Sequence, residues 1–111
     1  MRVSVCHCLD CQKRSGSAFA VQARWPDDRV EITGEFSLWL QAGDSGQRAS
    51  FRFCRTCGVT LAYTNEGMPG VTAIAIGAFA DPNFPPPQFS VYESRKHGWL
   101  VISGDDIERS A

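Results

Sequence analysis

The chain has 111 residues, 43% hydrophobic and 21% charged, with 11 basic against 12 acidic side chains and a formal net charge of -1. That balance suits one ordinary domain and gives no support to a nucleic-acid or membrane-surface binder, whose affinity rests on neutralising phosphates. Five cysteines, an odd number, exclude a fully paired disulfide framework, and no apolar run approaches membrane-spanning length.

Met1-Arg2-Val3-Ser4-Val5 carries no long apolar stretch of the kind a secretion signal needs. A reducing, cytoplasmic location is therefore expected, where clustered cysteines serve as metal ligands or reactive thiols. No repeat, low-complexity tract or linker divides residues 1–111, which read as a single domain.

Leu9 to Ser15 predicts one short helical turn that needs tertiary anchoring, which a bound metal would supply. Phe19 to Trp25 alternates as a strand, with Phe19, Val21, Ala23 and Trp25 on one face and Gln22 and Arg24 on the other, and Pro26-Asp27-Asp28 stops it. Val30 and Ile32 continue the alternation. Phe36 to Leu40 predicts another strand before the turn Gly43-Asp44-Ser45-Gly46.

Further strands are expected where Phe51 and Phe53 flank Arg52, at Val59, Leu61 and Tyr63, and at Val71 to Ile76. After Pro85-Pro86-Pro87, Phe89 to Tyr92 and Trp99 to Ile102 close the series, and the polar tail from Gly104 to Ala111 reads as a frayed terminus. Seven or eight short strands predict a mostly β protein, an antiparallel sheet or sandwich with one helical turn. The three tryptophans and seven phenylalanines read first as its core.

Cys6-His7-Cys8-Leu9-Asp10-Cys11 is a C-x-C-x-x-C arrangement. Alternate residues of an extended segment point to opposite sides, so convergence on one ion requires a turn, which the C-x-x-C half supplies. Three thiolates on Zn²⁺ leave the fourth tetrahedral position open, the pattern of catalytic rather than structural zinc. Their surplus negative charge suits such a site to holding a soft incoming thiolate rather than to making hydroxide. Lys13 and Arg14 follow directly and offset that charge. His7, between two ligands, is expected to turn its ring away, with a closed Cys₃His site as the alternative.

Cys54-Arg55-Thr56-Cys57-Gly58 has the form of a zinc knuckle, with glycine accepting the positive φ at its exit. It offers two ligands. Thioredoxin-like exchange, the competing chemistry of a C-x-x-C, expects the motif between a strand and a long helix, and neither pair has that context.

These motifs, together with Ser15-Gly16-Ser17-Ala18-Phe19, Ile32-Thr33-Gly34-Glu35, Gly77-Ala78-Phe79-Ala80-Asp81-Pro82 and Glu93-Ser94-Arg95 before Trp99, resemble the glutathione-dependent formaldehyde-activating enzyme family, which includes the centromere-protein-V-like proteins. The resemblance runs over nearly the whole chain. It implies a β-tent fold and two zinc sites, with Cys6, Cys8 and Cys11 on the catalytic zinc. Cys54 and Cys57 would hold half of a structural zinc, completed by a C-x-C-G motif on an N-terminal strand.

Met1 stands only five residues before Cys6, so that motif and its strand are expected to be missing. Cys54 and Cys57 are then either free thiols held by packing or part of a rearranged Cys₄ site with two cysteines of the first cluster. Loss of the strand is also expected to leave a sheet edge open.

The implied activity is that of a carbon-sulfur lyase, condensing glutathione with formaldehyde to S-hydroxymethylglutathione. Glutathione sulfur would occupy the open zinc position and add to the aldehyde carbon. Lys13, Arg14, Arg55, Arg95 and Lys96 are candidates for its carboxylates. Asp10 is a candidate for proton transfer or for a turn, and His97 is expected on a loop. The alternatives are a non-catalytic zinc-stabilised interaction domain, or related chemistry on another thiol, and a homodimer is compatible with either.

Overall fold

Val3 and Val5 alternate with Ser4 in the first strand, β1 (Arg2–Cys6), and four of its five residues are buried because strands flank it on both sides. The structure, a computed structural model, describes residues 1–42 and 46–111. The other strands are β2 (Ala20–Pro26), β3 (Ser37–Ala42), β4 (Arg48–Phe53), β5 (Thr60–Asn65), β6 (Val71–Ala75), β7 (Phe89–Val91) and β8 (Glu108–Arg109). They form one open sheet in the order β3-β4-β5-β6-β2-β1-β7-β8, with a single α-helix among the described residues, α1 (Leu9–Ser15), and short 3₁₀ turns. The mostly β architecture with one short helix is thus the one the sequence predicts.

Several details differ. The sheet is antiparallel from β3 to β1, but β7 runs parallel to both β1 and β8. Parallel neighbours need a long connection, and the excursion from Cys6 to Phe89 provides it. Val30 and Ile32 lie in irregular chain after a 3₁₀ turn at Asp27–Arg29, where the chain is anchored by Thr72 Oγ1 donating to Asp27 Oδ1 at 2.7 Å.

Trp99 to Ile102 forms no strand either, and Trp99 is 72% exposed. The tail expected to fray supplies β8 instead, because the Arg109 guanidinium donates to Ile102 O at 2.6 Å and pairs with Glu93 at 3.6 Å. Of the expected turn at 43–46, residues 43–45 lie outside the described residues. The sheet edges are β3 and β8, so β1, which carries Cys6, is paired on both sides.

Pairing partners point to the same side of a sheet. The register Cys6↔Ala20, Ser4↔Gln22, Gln22↔Ala75, Tyr63↔Ala73, Phe51↔Tyr63 and Trp39↔Phe51 therefore defines one face that runs from Cys6 to Trp39. Arg14 of α1 lies over this face, its guanidinium carbon 4.5 Å from the Phe51 ring centroid and 5.1 Å from that of Tyr63. The opposite face buries Val3, Val5 and Ala23, and Trp25 packs edge-on against Phe79 at 6.0 Å.

Candidate metal centre

β1 delivers Cys6, and the chain then turns into α1 with Cys8 as the helix N-cap. The Cys8 sulfur accepts the Cys11 backbone N–H at 3.3 Å, a role more often filled by a serine or aspartate oxygen. Asp10 in the first turn and Lys13 and Arg14 in the last complement the helix dipole. Gly16 closes α1 at φ 66, its N–H donating to Gln12 O at 3.0 Å.

Cys11 lies three positions after Cys8, about one helical turn, so both face the end of β1. The Sγ atoms of Cys6, Cys8 and Cys11 lie within 4.8 Å of one another. Sulfurs around tetrahedral zinc, at Zn–S of about 2.3 Å, stand about 3.8 Å apart. The donor set thus fits zinc after a contraction of about 1 Å or less, and its sulfur chemistry is that of zinc sites.

The charge in the cluster is concentrated on one sulfur. Hydrogen bonding from the Cys6 thiol, with help from Cys8 and Arg14, lowers Cys11 to about 6 against desolvation. Cys6 moves far up, because its proton is held by the Cys11 sulfur and because it is buried. Burial likewise raises Cys8. Both Nη atoms of Arg14 lie 3.9 Å from Cys11 Sγ, so the cation sits beside the sulfur that carries the charge.

His7 points away from the ligands, as its position between them predicts. It is wholly buried, its Nε2 is 3.0 Å from Ser90 Oγ, and its Nδ1 has no partner. Ser90 in turn donates to Glu93 at 3.4 Å, and burial lowers the His7 pKa. Gln12 fastens the other side of the loop. Its Nε2 donates to His7 O at 2.8 Å and Arg95 O at 3.1 Å, and its Oε1 is 2.8 Å from His97 Nε2. His97 lies on a loop, as expected, and through this contact is part of the frame that holds α1.

Among the described residues, Cys6, Cys8 and Cys11 are the only group of three or more His, Cys or carboxylate side chains gathered closely enough to hold a metal, and Cys54 and Cys57 are not part of it, so the four-cysteine arrangement is not gathered in this structure. The second pair does have knuckle geometry. Thr56 N–H donates to Cys54 Sγ at 3.4 Å, Gly58 N–H donates to Cys54 O at 2.9 Å, and Gly58 has φ 79. Backbone N–H groups of Cys57 and Thr56 lower the Cys54 pKa.

Arg14 borders two cavities of about 530 and 540 Å³. The first is bordered by Gln22, Tyr63 and Cys57; the second by Asp10, Lys13 and Trp39. Arg55 instead pairs with Glu35 at 3.2 Å, and Arg95 is engaged through its carbonyl.

Sequence reasoning missed Gln12, Gln22, Tyr63 and Ser90. The only signal for Gln22 was its place on the same strand face as Arg24, which reads as solvated until the strand is known to be central.

A comparison with protein families matches residues 1–95 to Glutathione-dependent formaldehyde-activating enzyme, and a comparison with curated proteins finds no match. The family match takes in every cysteine and every strand but β8, and on that ground the chain belongs to the glutathione-dependent formaldehyde-activating enzyme family.

Proposed function

We propose that the protein condenses glutathione with formaldehyde to S-hydroxymethylglutathione, a lyase-type carbon-sulfur reaction centred on Cys6, Cys8 and Cys11. The observation that carries this reading is the group of three sulfurs within 4.8 Å of one another, with no fourth His, Cys or carboxylate among the described residues in the group, in a chain of this family. Zinc held by the three would supply the Lewis acidity that keeps the sulfur of an incoming thiol deprotonated.

The balance of the reaction is simple. A sulfur lone pair forms the C–S bond, the carbonyl π electrons pass to oxygen, and the proton lost from the thiol ends on that oxygen. Arg14 keeps a positive charge 3.9 Å from Cys11 Sγ, and Arg14, which borders both cavities, and Lys13, beside the second, offer charge to glutathione carboxylates. Gln12 and the His7–Ser90 contact hold the loop so that the three sulfurs stay gathered.

Cys54 and Cys57 are read as two ligands of a second, structural zinc, which needs two more than this pair supplies. No helix among the described residues is long and apolar enough to cross a membrane. The rest of the reading is one domain acting in the cytoplasm on small molecules, without nucleic acid or membrane as partner.

The test is cobalt substitution followed by glutathione titration. New sulfur-to-cobalt absorption, together with faster loss of formaldehyde in the zinc form, is expected. An unchanged cobalt spectrum overturns the mechanism.

One observation favours a second reading, a zinc-stabilised interaction domain or homodimer. Edge strand β3 exposes Leu38, Trp39 and Leu40 at 57%, 44% and 55%, where a partner strand could add. That reading requires metal binding without any response to glutathione.

A further inference from the structure

Gln22 is 2% exposed, yet its Oε1 has no hydrogen-bond partner among the described residues, and it borders the cavity of about 530 Å³ beside the cysteine cluster. Its Nε2 is used, donating to Ser4 Oγ at 2.8 Å, which fixes the amide with the acceptor left over. Ser4 Oγ also accepts from Arg24, whose other Nη donates to the Tyr63 hydroxyl at 3.2 Å, so the strip of sheet beside this acceptor is locked in place. A buried, fixed acceptor with nothing to accept calls for an N–H or O–H donor.

A second unpartnered group borders the same cavity. Arg14 Nε is buried without a partner, while its two Nη atoms face Cys11 Sγ at 3.9 Å. Among the described residues, no aspartate or glutamate lines this cavity, and Arg14 brings a guanidinium to it. Its volume falls in the range of sites for small organic ligands, about 300–1,000 Å³, and is far more than a one-carbon aldehyde fills. It adjoins the metal centre through Ala20, which pairs with Cys6 and packs in the same buried cluster.

We propose that this cavity holds the peptide-like, carboxylate-bearing arm of the thiol substrate, with Gln22 Oε1 accepting an amide N–H and the Arg14 guanidinium binding a carboxylate. The proposal rests on the reading of the cysteine cluster as a thiol-processing centre and adds where the rest of the thiol lies. It makes Gln22 a specificity residue. A thiol lacking an N–H at that point leaves the buried acceptor unsatisfied and binds less well.

The test uses the zinc-loaded protein and S-methylglutathione, whose blocked sulfur separates recognition of the arm from thiol chemistry. Calorimetry is expected to show saturable binding, weakened about tenfold or more when both carboxylates of the ligand are converted to amides, a comparison that needs no protein variant. Gln22→Met, with zinc content and near-ultraviolet circular dichroism unchanged, is expected to weaken S-methylglutathione about tenfold, and Arg14→Lys to weaken it less than Arg14→Met.

Absence of binding to the native protein overturns the proposal, as does equal affinity for the diacid and the diamide. Equal affinity in the native and folded Gln22→Met proteins overturns the role of Gln22. The two readings fail separately. A cobalt spectrum that responds to glutathione, with S-methylglutathione indifferent to these changes, removes the cavity and keeps the thiol chemistry. The reverse pattern keeps the cavity and removes the chemistry.

Discussion

Cys8 Sγ accepts the backbone N–H of Cys11 at 3.3 Å, so one ligand of the candidate metal centre is also the N-cap of the helix that carries another. The two roles can be separated chemically. Serine caps helices well but is a poor zinc ligand beside thiolate, whereas alanine does neither. Cys8→Ser is therefore expected to lose the zinc of this site while the metal-free protein keeps nearly its native stability. Cys8→Ala is expected to lose the zinc and about 1 kcal/mol more in the metal-free form. Metal content by mass spectrometry and urea unfolding of the chelator-treated proteins check both, and retained zinc in Cys8→Ser overturns the ligand assignment.

The metal-free protein is expected to be most stable near pH 9. Cys11 falls from an ordinary 9.0 to about 6 on folding, so between those values the unfolded chain holds one more proton there than the native one. Stability therefore rises with pH across that window, by about 1.4 kcal/mol per unit from this group. Above pH 9 the sign reverses, because Cys6 and Cys8 keep protons in the native state that the unfolded chain gives up. Burial of Tyr63, pushed up to about 12 from 10.0, adds to the fall above pH 10. Below pH 6.5 buried His7, whose pKa is lowered, removes further stability as acid charges the unfolded chain. Denaturant unfolding at a series of pH values checks the maximum; stability that is flat from pH 6 to 9 contradicts the shared-proton picture.

Gln12→Ala removes three hydrogen bonds at once, to His7 O, Arg95 O and His97 Nε2. Since Gln12 is only half buried, water replaces part of what is lost, and a cost of about 1–3 kcal/mol is expected. The more specific outcome is local. Amide exchange should quicken around Glu93–Arg95, the 3₁₀ turn that Gln12 ties to α1, while exchange in β4 and β5 stays unchanged. Uniform acceleration across the sheet argues against a local clamp.

The cysteine centre was legible in the sequence because its signal is local: C-x-C-x-x-C sets both the turn and the helix that gather the sulfurs. The alternating strand Ala20–Pro26 and the β-branched run at Val71–Ala75 were legible for the same reason. β1 was not, since five residues show too little alternation to mark a strand and its partners lie far along the chain. The parallel placement of β7 rests on its distant pairing with β1, and the tail strand β8 on Arg109 reaching Glu93 and Ile102, neither of which alternation encodes. Gln22 is the clearest case. Its polarity suggests solvent, and only the central position of β2 buries it.

His7 and Ser90 are coupled in a way a double-mutant cycle can read. Both are wholly buried, 3.0 Å apart, on the face opposite the ligands, although His7 lies between two of them in sequence. Ser90→Ala leaves His7 Nε2 unpaired beside a Nδ1 that already lacks a partner, a cost of about 1–3 kcal/mol. His7→Leu strands the Ser90 hydroxyl less severely, because Glu93 still accepts from it at 3.4 Å. With both changed, no polar group is stranded, so the double variant should be more stable than the sum of the single losses by about 1 kcal/mol. Because His7 fixes the backbone between Cys6 and Cys8, His7→Leu is also expected to weaken zinc binding about tenfold by chelator competition, while the number of zinc ions bound at saturation stays the same. Loss of a whole equivalent of zinc at saturation would instead place the imidazole on the metal and refute its role as a brace.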